Sequence, residues 1–229
     1  MTSLKEFYNA RSSVYCYYMN PGSLYQIIYD SIKKKEKVLD LGCANGNFSS
    51  ELKKKDCVVH GVEISDVMAK NERKVLDKVI VGNIESMSIN LPKKSYDVIL
   101  LMDVLEHLFD PKQTLVKASP FLKERGKVIV SIPNVANWEV RKELLFGRFD
   151  SEKTAILEEG HIRFFTFKNA CALFESSGYR IKKYDLVINY PLLLLKLKNR
   201  FTFLPIEDFI KKHFHRFFAY QYIFILVKK

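Results

Sequence analysis

At 229 residues the chain is long enough for one domain with a continuous buried core. Apolar residues make up 48% and charged residues 28%, an ordinary balance for a soluble globular protein. Lys and Arg number 37 against 26 Asp and Glu, and the resulting +11 either favours anionic partners (a phosphorylated or sugar-nucleotide compound, a nucleic acid, an anionic membrane surface) or serves solubility alone.

Short apolar runs alternate with helix-like stretches, which predicts an α/β fold with a mainly parallel sheet. In chain order, residues 22–34 read as a first helix and 37–41 as the first strand, followed by a helix over 47–54. A strand over 57–62 precedes a helix over 66–76, and 79–81 is a short third strand. YDVILLM, residues 96–102, reads as a strand buried on both faces. A helix over 111–122 must end or kink near Pro120. A fifth strand spans 127–132. A helix over 168–177 meets Gly178, a C-terminal cap residue. Residues 179–188 and 219–227 form the last strands.

Two segments break the alternation. Residues 134–167 are rich in aromatic and charged side chains. Residues 190–218 hold Lys196, Lys198, Arg200, Lys211, Lys212 and Arg216 against Glu207 and Asp208. Long connections inside compact domains are usually functional, so both are expected to cover a site: 134–167 as a substrate cap within one domain spanning 1–229, and 190–218 as an insertion before the last strand. The leucine and phenylalanine content of 190–218 also allows peripheral contact with an anionic membrane.

The cysteines Cys16, Cys43, Cys57 and Cys171 are scattered without CxxC spacing, which fits a reducing cytoplasm better than a zinc site or a disulfide framework. The N-terminus lacks the apolar stretch of a signal peptide, and no run approaches a membrane span.

The chemistry begins at VLDLGCANGNFS, residues 38–49. In open α/β sheets, ligands lie beyond the carboxyl ends of the strands. Gly42 and Gly46 let the backbone turn and approach a ligand with no Cβ in the way. Cys43 and Ala44 keep the loop small. Asp40 can orient the loop or accept from a cationic amino group. Glu63 follows the second strand, 17 residues after Gly46, where an acid can take both hydroxyls of a ribose. After the third strand, Asn83 can read an adenine edge while Ile84 packs on its face. Nicotinamide sites use G-x-G-x-x-G to seat a pyrophosphate. Cys43, Ala44 and Asn45 stand between the two glycines here, which favours a nucleoside without phosphate.

With these motifs the chain resembles the class I S-adenosylmethionine (SAM)-dependent methyltransferases from about Tyr17 to its end. VLDLGCANG resembles the first motif, GVEIS the ribose-binding acid, GNIES the adenine segment (with Asn83 for the more usual Asp), YDVILLMDVLEHLFDP the fourth-strand motif and LKERGKVIVSIPN the fifth. The resemblance implies a Rossmann-like seven-stranded sheet with an antiparallel last strand, helices on both faces, and SAM as methyl donor. The residues expected to contact SAM are Tyr18, Asp40, Leu41, Gly42, Cys43, Gly46, Asn47, Phe48, Glu63, Ile64, Asn83, Ile84, Met102 and Val104. The stretch after the fifth strand is similar to bacterial methyltransferases of surface-polysaccharide gene sets, and more loosely to the MetW and ubiquinone O-methyltransferase types.

Methyl transfer needs alignment of nucleophile, methyl and sulfur, and a hydroxyl acceptor must also lose a proton. His107, after the fourth strand, and His161, in the cap, are the candidate bases. The ubiquinone O-methyltransferase type also has an acid-x-x-Glu-His group associated with divalent metal. Asp103, Glu106 and His107 match it here, with packed or solvated side chains as the alternative. Arg141, Lys142, Arg148 and Arg163, beside Trp138, Phe146, Phe149, Phe164 and Phe165, could hold a sugar ring and phosphate or form a basic rim on a small core. These features favour O-methylation of a sugar, sugar-phosphate or other small hydroxylated metabolite in surface-glycan synthesis. Two alternatives remain. One is a nucleic-acid methyltransferase, disfavoured because Met102-Asp103-Val104-Leu105 stands where an Asn/Asp-Pro-Pro-aromatic motif is expected. The other is a MetW-like regulatory SAM-binding protein without turnover of its own.

Overall fold

The computed structural model describes residues 5–6, 9, 19–86, 91–150, 154–189, 209 and 212–229. Seven strands form one sheet: β1 (Lys37–Leu41), β2 (Val58–Glu63), β3 (Lys78–Val81), β4 (Tyr96–Met102), β5 (Leu122–Pro133), β6 (Tyr179–Ile188) and β7 (Ala219–Lys228). Their order is β3-β2-β1-β4-β5-β7-β6. β1 to β5 pair in parallel, whereas β7 lies antiparallel between β5 and β6. The strand order reverses between β1 and β4, which opens a crevice at their carboxyl ends.

The central strands read as unbroken apolar runs because both faces are covered. Successive side chains of a strand point to opposite faces. Leu39, Leu41, Ile99 and Leu101 accordingly join one core cluster, with Leu115 and Ala118 of helix α4 (Pro111–Ala118) and Ala170 and Phe174 of α6 (Phe167–Ser176). Val38, Val98 and Leu100 join the other, with Leu24 and Ile28 of α1 (Leu24–Asp30) and Phe48 and Leu52 of α2 (Asn47–Leu52). Helices thus cover both faces, as expected. α3 (Asp66–Glu72) follows β2. Phe224 of β7 is fully buried, with its ring centroid 5.0 Å from that of Phe174. Phe224→Ala is expected to cost about 3–5 kcal/mol of stability, read from the denaturation midpoint, because the sheet cannot collapse onto the void.

Side chains cap the helices locally. Ser23 caps α1, Asp110 caps α4 with Pro111 at the first turn, and Thr166 and Asn169 form a capping box on α6. Gly178 follows α6 with φ +85°.

Several element ends differ from expectation, the first being α1, which spans Leu24–Asp30 rather than 22–34 because the backbone turns out of the helix after Ser31. α2 stops at Leu52 and tightens into a 3-10 turn, Lys53–Lys55, ended by Asp56 in the left-handed region. α3 stops at Glu72. α4 stops at Ala118, because Pro120 lies in a 3-10 turn, Ser119–Phe121. β5 then starts at Leu122 rather than 127. Leu122 pairs with Tyr96 and Lys127 with Val98, so the intervening residues bulge and regular pairing begins only at Lys127.

The described residues of the 134–167 segment have a small core of their own. The segment contains α5 (Trp138–Leu145) and a 3-10 turn, Ala155–Leu157. Val140, Ile156 and Leu157 cluster with Val135 and Tyr220. A parallel bridge joins Asn134 to Phe165, and the backbone N–H groups of Ile162 and Arg163 donate to the Glu106 carbonyl. Most of the expected 190–218 insertion lies outside the described residues; its end forms a short helix, α7 (His215–Phe218), leading into β7. Among the described residues, no helix is long and apolar enough to cross a membrane.

Candidate active site

The loop after β1 is shaped by alternating left-handed residues: Gly42 at φ +84°, Ala44 at +50° and Gly46 at +71°. The Gly42 N–H donates to the Val62 carbonyl, and Gly46 caps α2. A Cβ built on Gly42 would stand 2.7 Å from Val104 Cγ2. Gly42→Ala is therefore expected to combine a backbone penalty with a clash against the β4 side. The loss of stability should be about 1–3 kcal/mol, with weakened ligand binding, checked by thermal shift and titration calorimetry.

Glu63 ties this loop to β2. Its Oε2 accepts from the Ala44 N–H (2.9 Å) and its Oε1 from the Ser65 N–H (2.8 Å). Burial pushes its carboxyl up, while these backbone donors oppose the shift. Asp40 lies beneath the loop. Ser49 Oγ donates to its Oδ2, and its Oδ1 has no partner among the described residues. Burial raises Asp40 to about 7.

The crevice has two lobes. The larger holds about 270 Å³ and the smaller about 80 Å³, and Gly42, Glu63, Asp103 and His107 line both. Among the residues expected to contact a cofactor, Cys43, Asn47, Phe48 and Met102 line the larger lobe. Ile64, Asn83, Ile84 and Val104 line the smaller one. Asp40, Leu41 and Gly46 line neither: the first two are buried under the floor, and Gly46 acts through its backbone at the start of α2. Tyr18 lies outside the described residues, whereas Tyr25 of α1 lines the larger lobe.

Both histidines line the larger lobe; only His107 also reaches the smaller. His107 sits in a 3-10 turn, Leu105–His107, launched by Asp103 at φ +53°. Its Nδ1 is 2.8 Å from the Gly160 carbonyl, and His161 Nδ1 is 2.9 Å from the Ile156 carbonyl. A carbonyl only accepts, so both Nδ1 atoms carry the proton, and in the neutral rings Nε2 is the basic atom. The rings meet edge to face with centroids 4.7 Å apart. Cap and sheet, remote in the chain, together make this pair.

Glu106 is 1% exposed, lines the larger lobe and accepts no hydrogen bond from any other described residue through either carboxylate oxygen. Burial first, then the charges of Asp103 and Glu158, push its carboxyl well above the usual range. Ligand atoms of Glu106, His107 and His161 lie within 4.8 Å of one another. Asp103, expected to complete a metal group with Glu106 and His107, is not in this cluster. Its carboxylate accepts from Ser131 Oγ (2.6 Å) and from Gln221 Nε2.

Tyr220 and Gln221 line the larger lobe and were not anticipated. Their signal is topological: Gln221 pairs with Pro133, so β7 starts at the carboxyl end of β5. The basic cap residues do not enter the crevice. Arg141 Nε donates to the Ala136 carbonyl, Arg148 pairs with Glu143, Lys142 lies 3.8 Å from Glu143, and Arg163 donates to the Phe109 carbonyl. Of the cap aromatics, Phe165 is in the core, Trp138 Nε1 donates to the Asn189 carbonyl, and Phe146, Phe149 and Phe164 are exposed.

A seven-stranded sheet of this order, with a glycine-turned loop, a buried acid after β2 and a two-lobed crevice at the switch point, defines a Rossmann-like fold with its ligand crevice beyond the strand ends. A family model for a methyltransferase domain matches residues 21–184, and the chain belongs to the class I SAM-dependent methyltransferases, enzymes whose cofactor is SAM. The chain is 31% identical over 122 residues to the ubiquinone biosynthesis O-methyltransferase of Coxiella burnetii, covering 51% of each protein. It is 30% identical over 112 residues to that of Idiomarina loihiensis, covering 45% of each. It therefore spans about half the length of the curated relatives it matches. A SAM-dependent methyltransferase structure from Archaeoglobus fulgidus superposes with a TM-score of 0.63 at 18% identity, covering 90% of this chain and 94% of that one. A putative methyltransferase solved with the Trm112 activator of Haloferax volcanii gives 0.63 at 17%, covering 99% and 97%. These structural likenesses concern the fold alone.

Proposed function

We propose that the protein is an O-methyltransferase that alkylates a hydroxyl of a small acceptor held in the larger lobe under the 134–167 cap, with His161 as general base. The observation that carries this reading is the placement of His161. It lines only the larger lobe, and its proton-bearing Nδ1 is anchored on the Ile156 carbonyl, so Nε2 is the atom available for chemistry.

Bound SAM supplies an electrophilic sulfonium methyl. Gly42 gives the cofactor a backbone approach without a Cβ, and Glu63 offers the carboxylate for a ribose. Asn83 and Ile84 line the smaller lobe where an adenine would lie. His161 takes the hydroxyl proton on Nε2. His107, against the His161 ring and at the junction of the lobes, orients it. Asp103, pinned by Ser131 and Gln221, fixes the turn that carries His107. The names of the ubiquinone-biosynthesis relatives support oxygen as the atom methylated. Sugars and other polyols, including those of surface glycans, remain within the acceptor class.

A second reading has a specific observation behind it. The clustering of Glu106, His107 and His161 suits a divalent cation with oxygen and imidazole ligands, which would activate the hydroxyl instead of a free base. Dialysis against EDTA decides between the two. Under the first reading turnover of a hydroxylated acceptor is unchanged; under the second it is lost and returns with Mg²⁺ or Mn²⁺. The test of the proposal as a whole is release of S-adenosylhomocysteine on a panel of hydroxylated acceptors. Absence of SAM binding by calorimetry would end it.

A further inference from the structure

The chain is strongly basic, yet its crevice is acidic. Glu63, Asp103, Glu106 and Glu158 line the larger lobe, and Glu85 lines the smaller. Among the described residues, no Lys or Arg lines either lobe. The cap arginines that could have clamped a phosphate are engaged elsewhere: Arg148 with Glu143, Arg141 with a backbone carbonyl and over the Phe217 ring, and Arg163 with the Phe109 carbonyl.

We propose that the larger lobe selects its acceptor by charge, taking uncharged or cationic hydroxyl compounds and rejecting anionic ones, phosphorylated forms above all. This rests on the O-methyltransferase reading of the crevice and specifies its substrate class. Glu106 is the central observation. It is a buried carboxylate in the wall of the lobe whose oxygens accept nothing from other described residues, an arrangement that invites a hydrogen-bond donor. Asp103 and Glu158 line the same lobe, which is thereby short of positive charge. A hydroxyl or ammonium donor relieves that shortage. A phosphate adds to the repulsion and finds no guanidinium or ammonium partner among the described residues of the lining. The surface lysines and arginines do not compensate, because their fields are screened over distances of about 10 Å.

The test uses two series, each with one hydroxylated core in three charge states: dopamine, methylcatechol and protocatechuate; glucosamine, glucose and glucose 6-phosphate. Dissociation constants are measured by ligand-observed NMR on the full chain in EDTA, at about 0.1 M salt, where the surface charges are screened. Cofactor-site occupancy by S-adenosylhomocysteine is followed separately by calorimetry. In at least one series the anionic member should bind at least about tenfold more weakly than the cationic one, with the neutral member between or level with the cation. Glu106→Gln and, independently, Glu158→Gln should shrink that gap several-fold. Equal affinities, a reversed order, no binding by any member of either series, or a gap that both folded variants leave intact would overturn the proposal. Failure to bind S-adenosylhomocysteine strikes the cofactor site instead, so the two failures are told apart.

Discussion

His161→Ala is expected to lower kcat by at least about 100-fold while leaving the Kd for S-adenosylhomocysteine within about twofold. A positioned general base contributes about 10²–10⁴-fold to such a step, which sets the scale. The selectivity follows from geometry. Although the expected cofactor contacts Cys43, Asn47, Phe48 and Met102 share the larger lobe with it, His161 is anchored on the Ile156 carbonyl in the cap, not on the loop after β1. His107→Ala should lower kcat too, and because His107 lines both lobes it should also weaken the cofactor. Steady-state kinetics paired with calorimetry separates the cases. A His161→Ala enzyme with full kcat, or one that loses cofactor affinity in proportion to rate, would remove His161 as the base.

Glu63→Gln is expected to weaken S-adenosylhomocysteine binding by about 100-fold, nearly as much as Glu63→Ala, although it preserves the side chain's shape. The carboxylate accepts one backbone N–H on each oxygen, from Ala44 and from Ser65. An amide has one accepting oxygen, so one of these N–H groups would face an NH₂ group. The glycine loop or the start of α3 must then shift, and the acceptor offered to a ribose is lost as well. Hydrogen bonds to a charged group are worth about 1.5–3 kcal/mol each, and losing the equivalent of one or two gives this scale. Calorimetric titration checks it. A Gln variant with native affinity would place the nucleoside elsewhere in the crevice.

Much of the fold was legible because it is written in local pattern. YDVILLM and KVLDL are apolar without interruption, and the observed strands coincide with the runs at Tyr96–Met102 and Lys37–Leu41. Gly178 announces the end of α6. Gly42 and Gly46 announce left-handed turns because other side chains are strained there. The errors fall where local signals compete. Pro120 ends α4 earlier than the apolar pattern runs, and the bulge before Lys127 hides the true start of β5.

VLDLGCANGNFS and the acid at Glu63 were legible in the sequence itself: a glycine-turned loop after a strand needs small residues at fixed offsets along one chain segment. What faces that loop across the crevice was decided only by the tertiary structure. Inserting β7 antiparallel beside β5 sets Gln221 against Asp103, a residue 118 positions earlier. Folding the cap onto the end of β4 sets His161 against His107 and Glu106. It also leaves Arg141, Arg148 and Arg163 tied up at the rim, so a basic chain presents an acidic crevice. Hydropathy and spacing encode which side chains are buried. Strand order and cap docking determine which buried side chains meet, and no local pattern carries that information.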